Sequence, residues 1–175
     1  MKKLFLISMV LLASSTFVSC GNKSADGEQA ADSTATAQVA EDGNKFEGKN
    51  FSLIYPKDFE ETYASDESLN AECKGEKACH LDATYNDMGP ALSELETYAT
   101  NWKGMKEANG CKIVNQDIKD KVLTIKSTKD DETEIHYVVM KEDKIGVAGS
   151  LKFKTADEAT YEPVLQGIIK SISFK

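Results

Sequence analysis

The chain has 175 residues, 29% of them charged, a formal net charge of −8 and no arginine. An acidic surface repels phosphate backbones and anionic head groups, which argues against nucleic-acid binding and against purely electrostatic membrane attachment. Without a bidentate guanidinium clamp for phosphate or carboxylate groups, many nucleotide- and phosphate-handling enzymes also drop from consideration.

Met1-Lys2-Lys3 is followed by an apolar run from Leu4 to Val18 and then by Ser19 and Cys20. A basic start, an apolar stretch of about 15 residues and a small residue before the cut form a secretory signal. The run is short for a membrane span, which needs ~20 residues. Val18-Ser19-Cys20-Gly21 resembles the lipobox of bacterial lipoproteins, with Phe17 where most members carry Leu. That resemblance implies a signal peptide over 1–19 and a diacylglycerol thioether on the Cys20 sulfur, usually with a third acyl chain on its amine. At ~0.8 kcal/mol per buried CH₂, two or three chains hold far more firmly than one. The alternative is an ordinary secretory signal with an incidental cysteine. The expected location is the cell envelope, lipid-anchored, and Gly21 after the anchor is compatible with the outer membrane if the cell is Gram-negative. Cleavage would remove Lys2 and Lys3, leaving the mature chain more acidic by two charges.

From Gly21 to Lys45 the side chains are small, polar or charged, with Val39 the only large apolar one, too little burial to offset the entropy of ordering. Residues 20–45 are therefore expected to form an acidic tether with an r.m.s. span of about 25–30 Å. Order is expected from Phe46, and 46–175, roughly 130 residues, suffices for a single globular domain.

Phe51-Ser52-Leu53-Ile54-Tyr55 reads as a strand stopped by Pro56, and Pro56 to Phe59 as a turn. Leu69, Ala71 and Cys73 share one face of a strand, and Cys79, Leu81, Ala83 and Tyr85 one face of the next, with Lys74 to Ala78 as a hairpin loop around Gly75. After the break from Asn86 to Pro90 the period changes. Leu92, Leu95, Tyr98, Ala99, Trp102 and Met105 fall within an arc of about 140° at 100° per residue, predicting a helix over 92–108. Ser93-x-x-Glu96 is its capping-box candidate and Asn109-Gly110 its stop.

Four strands follow, over Lys112–Ile118, Val122–Ser127, Thr133–Lys141 and Lys144–Phe153. The third is apolar on both faces, which predicts an interior strand with cover on both sides. In the fourth, Ile145, Val147, Gly149, Leu151 and Phe153 share a face, and small Gly146, Ala148 and Ser150 on the other would admit a helix closely. Tyr161, Val164, Leu165, Ile168, Ile169 and Ile172 predict a last helix. Thr160 as its N-cap would place Pro163 at the third helical position, where no intrahelical partner is lost; a start at Thr155-x-x-Glu158 would put Pro163 in the interior and require a kink.

These elements predict an α+β fold, an antiparallel sheet covered by helices. The opening Phe51 to Phe59, the helix ahead of the meander and the closing Ile168 to Phe174 resemble the PsbP-like superfamily, with Phe59 where many relatives have Trp. That superfamily includes an extrinsic photosystem subunit, a Ran-binding nuclear import factor and many bacterial lipoproteins. The resemblance covers about 46–175 and implies an α/β/α sandwich and non-enzymatic binding to a larger assembly. The matching segments are core, so no binding residue carries over.

Besides Cys20 there are Cys73, Cys79 and Cys111, in a compartment that permits disulfides. Cys73 and Cys79 flank a hairpin loop on one face, so a bridge between them is geometrically reasonable, at an end an oxidant can reach; a bridge to Cys111 or three free thiols are the alternatives. Cys79 and His80 look like a dyad but alternate along a strand and so cannot meet. His80 and His136 read as surface or sheet-edge residues. A metal site from His80, Asp82, Glu134 and His136 has no ligand spacing to recommend it, and neither Glu60-Glu61 nor Asp130-Asp131-Glu132-x-Glu134 has the pattern of a calcium loop. No phosphate loop, nucleophile elbow or zincin motif occurs, so no cofactor, metal or catalytic residue is assigned.

The expected function is that of an anchored, non-enzymatic module binding an envelope protein. The alternative is a small-ligand carrier or sensor with Tyr98 and Trp102 lining a pocket between the helix and the sheet. A hydrolase using carboxylates such as Asp82 or Glu134 comes last.

Overall fold

The computed structural model describes residues 42–75, 79–87 and 91–175. The expected signal peptide, Cys20 and the tether up to residue 41 lie outside the described residues, as do 76–78 of the hairpin loop and 88–90.

Among the described residues, these elements follow one another as β1 (Asn44–Glu47), β2 (Phe51–Tyr55), β3 (Phe59–Ala64), β4 (Ser68–Cys73), β5 (His80–Tyr85), α1 (Leu95–Ala108), β6 (Lys112–Lys119), β7 (Val122–Lys129), β8 (Glu132–Lys141), β9 (Lys144–Lys154), α2 (Glu158–Ser171) and β10 (Ser173–Phe174). A seven-stranded antiparallel sheet has the order β3-β4-β5-β9-β8-β7-β6, and a three-stranded one the order β1-β2-β10. Strand β8 is interior, between β7 and β9, with apolar cover on both sides. Ile135 and Tyr137 enter one core with Leu165, Ile168 and Ile169 of α2, while Val138 and Met140 enter another with Leu95 and Ala99 of α1. The fold is an α+β sandwich of a sheet between helices.

Several sequence-based expectations are corrected. Order begins before Phe46: Asn44 and Lys45 pair with Tyr55 and Ile54, and the Asn44 amide donates to the carbonyls of Pro56 and Phe59, both at 3.1 Å. The stretch after Phe59 is strand β3, whose side chains beyond Phe59 are all exposed and so carry no alternation to read.

Helix α1 is preceded by a 3-10 turn over Leu92–Glu94, and the carboxylate that turns back is Glu94, accepting from the Ala91 N–H at 3.0 Å. Glu96 instead accepts from the Gln116 amide. Helix α2 starts early, after a 3-10 turn over Thr155–Asp157, and Pro163 lies inside it. Two facts make that start favourable. Glu158 and Glu162, one turn apart, both bind the Lys126 ammonium of β7, at 2.9 and 2.8 Å. The carbonyl that loses a donor to Pro163 is that of Ala159, which is exposed to water.

The face assignment in β9 changes as well. A bulge shifts the register so that Met140 pairs with Ile145 while Val139 pairs with Val147, which turns Ile145 to the α1 side. Gly146 admits the Phe174 ring of β10 rather than a helix.

Candidate functional site

Strands β4, β5, β9 and β8 present two rows of polar side chains on the α1 side of the sheet. Residues directly opposite in adjacent strands share a face. Asn70 pairs with Asp82, Asp82 with Ser150, and Ser150 with His136; Glu72 pairs with His80, His80 with Lys152, and Lys152 with Glu134. Tyr63 of β3 pairs with Asn70 and extends the first row to the sheet edge.

Helix α1 covers only one end of these rows, because its apolar partners come from β6 to β9. Tyr98, Trp102 and Lys106, four residues apart, form a ridge along its flank. The Tyr98 hydroxyl lies 3.0 Å from His136 Nε2, and the Trp102 ring stacks on the imidazole at 4.6 Å between centroids and 13° between planes. Lys106 pairs with Glu134 and lies over the Trp102 ring at 4.8 Å.

His136 is 8% exposed, so it is a buried residue and not a surface or edge one. Burial drives its pKa down to about 4, with Glu134 opposing and Lys106 assisting; a hydrogen bond to the Gly149 backbone favours the protonated ring. That sense is the one expected of a ring N–H donating to a carbonyl, which leaves Nε2 to accept from Tyr98. The sequence held a signal for this placement: His136 shares its face with Val138 and Met140.

Tyr98 and Trp102 both pack on His136. Beside them is a groove of about 300 Å³, open to solvent along the helix and lined by Glu94, Thr97, Tyr98 and Asn101.

Ser150 donates its hydroxyl to Asp82 and not to a histidine, and burial raises the Asp82 pKa against that bond. His80 stands 3.7 Å from Glu72, on the face opposite Cys79, which is buried in the α2-side core. Although His80, Asp82, Glu134 and His136 share a face, no three His, Cys, Asp or Glu side chains are placed to hold a metal among the described residues.

Cys73 and Cys79 are bridged, with Cα atoms 5.3 Å apart. Neither is at an accessible end: both are buried, and Cys73 Sγ lies 3.3 Å from the Tyr161 hydroxyl of α2. Cys111 is free and half-buried in the residue before β6. No helix among the described residues is long and apolar enough to cross a membrane.

No protein-family model matches the sequence, and no curated protein matches it either. Solved structures do resemble it. The chain is similar to cyanobacterial PsbP (CyanoP) from Synechocystis sp. PCC 6803, with a TM-score of 0.57 and 11% identity over 75% of this chain and 92% of that one. It is also similar to the Ran-binding protein Mog1p of Saccharomyces cerevisiae, with a TM-score of 0.55 and 10% identity over 75% and 95% of the two chains. The fold is the PsbP-like α/β/α sandwich. At these identities the likeness concerns backbone architecture, and the polar rows and the Tyr98–His136–Trp102 stack are described from this chain alone.

Proposed function

We propose that the chain is a lipid-anchored, non-enzymatic module that holds a protein partner at the cell envelope. The observation that carries this reading is the half of the α1-side face that no described helix covers. There Tyr63, Ser68, Asn70, Glu72, His80, Asp82 and Thr84 are exposed or half-exposed on β3, β4 and β5, rigidly backed by the α2-side core. Hydrogen-bonding side chains on a preformed sheet with one exposed aromatic suit protein recognition, in which aromatic anchors dominate the energetics. One comparison adds support. Among proteins with this backbone, Mog1p binds Ran. Anchoring rests on the Cys20 sequence pattern.

The test places a photo-crosslinking residue at Thr84, on the uncovered face, or at Gln166, on the exposed side of α2, in the full chain in cells. A discrete protein adduct from position 84 and none from 166 is expected. No adduct from position 84 would overturn this face as the binding surface. Labelled fatty acid incorporated undiminished into Cys20→Ser would overturn the anchor.

A further inference from the structure

This face ends at β3, an edge strand with no neighbour on its outer side among the described residues. Among the described residues its ends are tied by the Asn44 amide on the Phe59 carbonyl and, just beyond the strand, by the Lys49 N–H on the Asp66 carbonyl at 2.7 Å. Between these ties lies a groove of about 360 Å³, lined by Lys45, Phe46 and Glu47 of β1 and by Glu61, Ala64, Ser65 and Asp66. On the opposite side of the same strand Tyr63 is 55% exposed.

Charge on this edge is one-sided. From Asp58 to Cys73 the chain carries Asp58, Glu60, Glu61, Asp66, Glu67 and Glu72 and no lysine. Among the described residues no lysine lies within ion-pairing distance of Asp58, Glu60, Glu61 or Asp66, whereas Glu134, Glu158 and Glu162 are all paired. On the groove rim Glu47 is shared by Lys45 and Lys175.

We infer that the free edge of β3 accepts an extended basic segment of a protein partner as an added strand. This rests on the binding-module reading and names the partner's chemistry. Side chains of an added strand alternate between the two faces of the sheet. One set would enter the groove beside Glu61 and Asp66, with the Phe46 ring at its base, and the other would lie along Glu60 and Tyr63. A second copy of this chain is disfavoured as occupant, because pairing two such edges lays one acidic strand along another. The same repulsion selects a lysine- or arginine-bearing strand.

The test titrates the full chain with acetyl-Lys-Val-Lys-Val-Lys-amide and follows backbone amide shifts. Shifts should concentrate in Lys45–Glu47 and Phe59–Asp66, and the double variant Glu61→Lys, Asp66→Lys should bind at least about tenfold more weakly. Both substitutions are at exposed positions, and an unchanged amide spectrum elsewhere checks the fold. Shifts spread over every acidic surface, equal binding of the glutamate analogue, or no effect of charge reversal would each overturn the proposal. An adduct from position 84 combined with no peptide binding at β3 would sink this inference alone and leave the module reading standing. Specific peptide binding at β3 without any adduct from position 84 would support the edge as a docking strand and remove the face from the function.

Discussion

His136 makes a neutral imidazole part of the packing between α1 and the sheet, and the consequence for stability has a definite sign. Its folded pKa is about 4 against 6.5 in the unfolded chain, so the unfolded state binds the extra proton between these values and stability falls as pH falls through that window. Above pH 6.5 the group contributes no slope. Fully developed, the loss amounts to about 3 kcal/mol, since a pKa difference of one corresponds to about 1.4 kcal/mol. Chemical denaturation of wild type and His136→Phe between pH 7 and 4 should give curves whose difference changes by that order; parallel curves would show the ring to be solvated. Asp82 acts in the opposite sense, because its raised pKa means that the ionised carboxyl is the costly form in the fold. Asp82→Asn, which keeps an acceptor for Ser150, should therefore raise the melting temperature at pH 7, and the gain should vanish once the wild-type carboxyl is protonated. A lower melting temperature at pH 7 would show that the charge is favourable where it stands.

At the scale of elements, what could be read in advance divides according to whether burial left a period in the sequence. Helix α1 and strands β6 to β9 were legible because apolar residues recur on one face, buried in β7 to β9 and partly buried in β6 and α1. Strand β3 was not, since after Phe59 it lies exposed at an edge, and β1 and β10 are too short for alternation to be distinguished from chance. The early start of α2 was hidden because its decisive contact, Lys126 with Glu158 and Glu162, links residues more than thirty apart in sequence. The same holds for the Tyr98–His136–Trp102 stack: its members were singled out separately, and only the packing of α1 on β8 brings them together. Gly149 shows the tightest such long-range fit. It sits opposite Tyr137, whose hydroxyl donates to the Asp82 carbonyl at 2.9 Å across β9, so the ring lies over the glycine. A Cβ on Gly149 would stand 2.0 Å from the Asp82 carbonyl oxygen and 2.7 Å from the Tyr137 hydroxyl. Both neighbours belong to the core and cannot swing away. Gly149→Ala should cost at least about 3 kcal/mol in denaturant midpoint measurements; a cost below about 1 kcal/mol would mean that β5 and β9 separate more easily than their pairing implies.

For the molecule as a whole, β1 and β10 flank β2, and the small sheet shares one core with the large one. Strand β10 places Phe174 opposite Phe51, while β1 places Phe46 opposite Leu53, so the small sheet closes over the end of the large one. The closure is apolar: Phe46 is 5% exposed and stands 5.1 Å from the Phe51 ring. It is also polar at its margins, where the Lys175 ammonium bonds the Gly48 carbonyl and Asn44 ties β1 to the start of β3. A chain starting at Asp42 keeps all of these contacts and should melt with the same cooperativity and midpoint as one starting at Gly21. A chain starting at Gly48 loses the Phe46 side chain, two amide hydrogen bonds and every pair of β1 with β2. Removing a buried phenylalanine alone costs about 3–5 kcal/mol, a large fraction of the roughly 5–15 kcal/mol that stabilises a domain. Urea denaturation should therefore show the Gly48 form strongly destabilised or unfolded while the Asp42 form is unchanged. If the Asp42 form is the weaker of the two relative to the longer chain, residues before 42 contribute to the fold; if the Gly48 form retains its midpoint, β1 is an appendage and cannot serve as the far wall of the β3 groove.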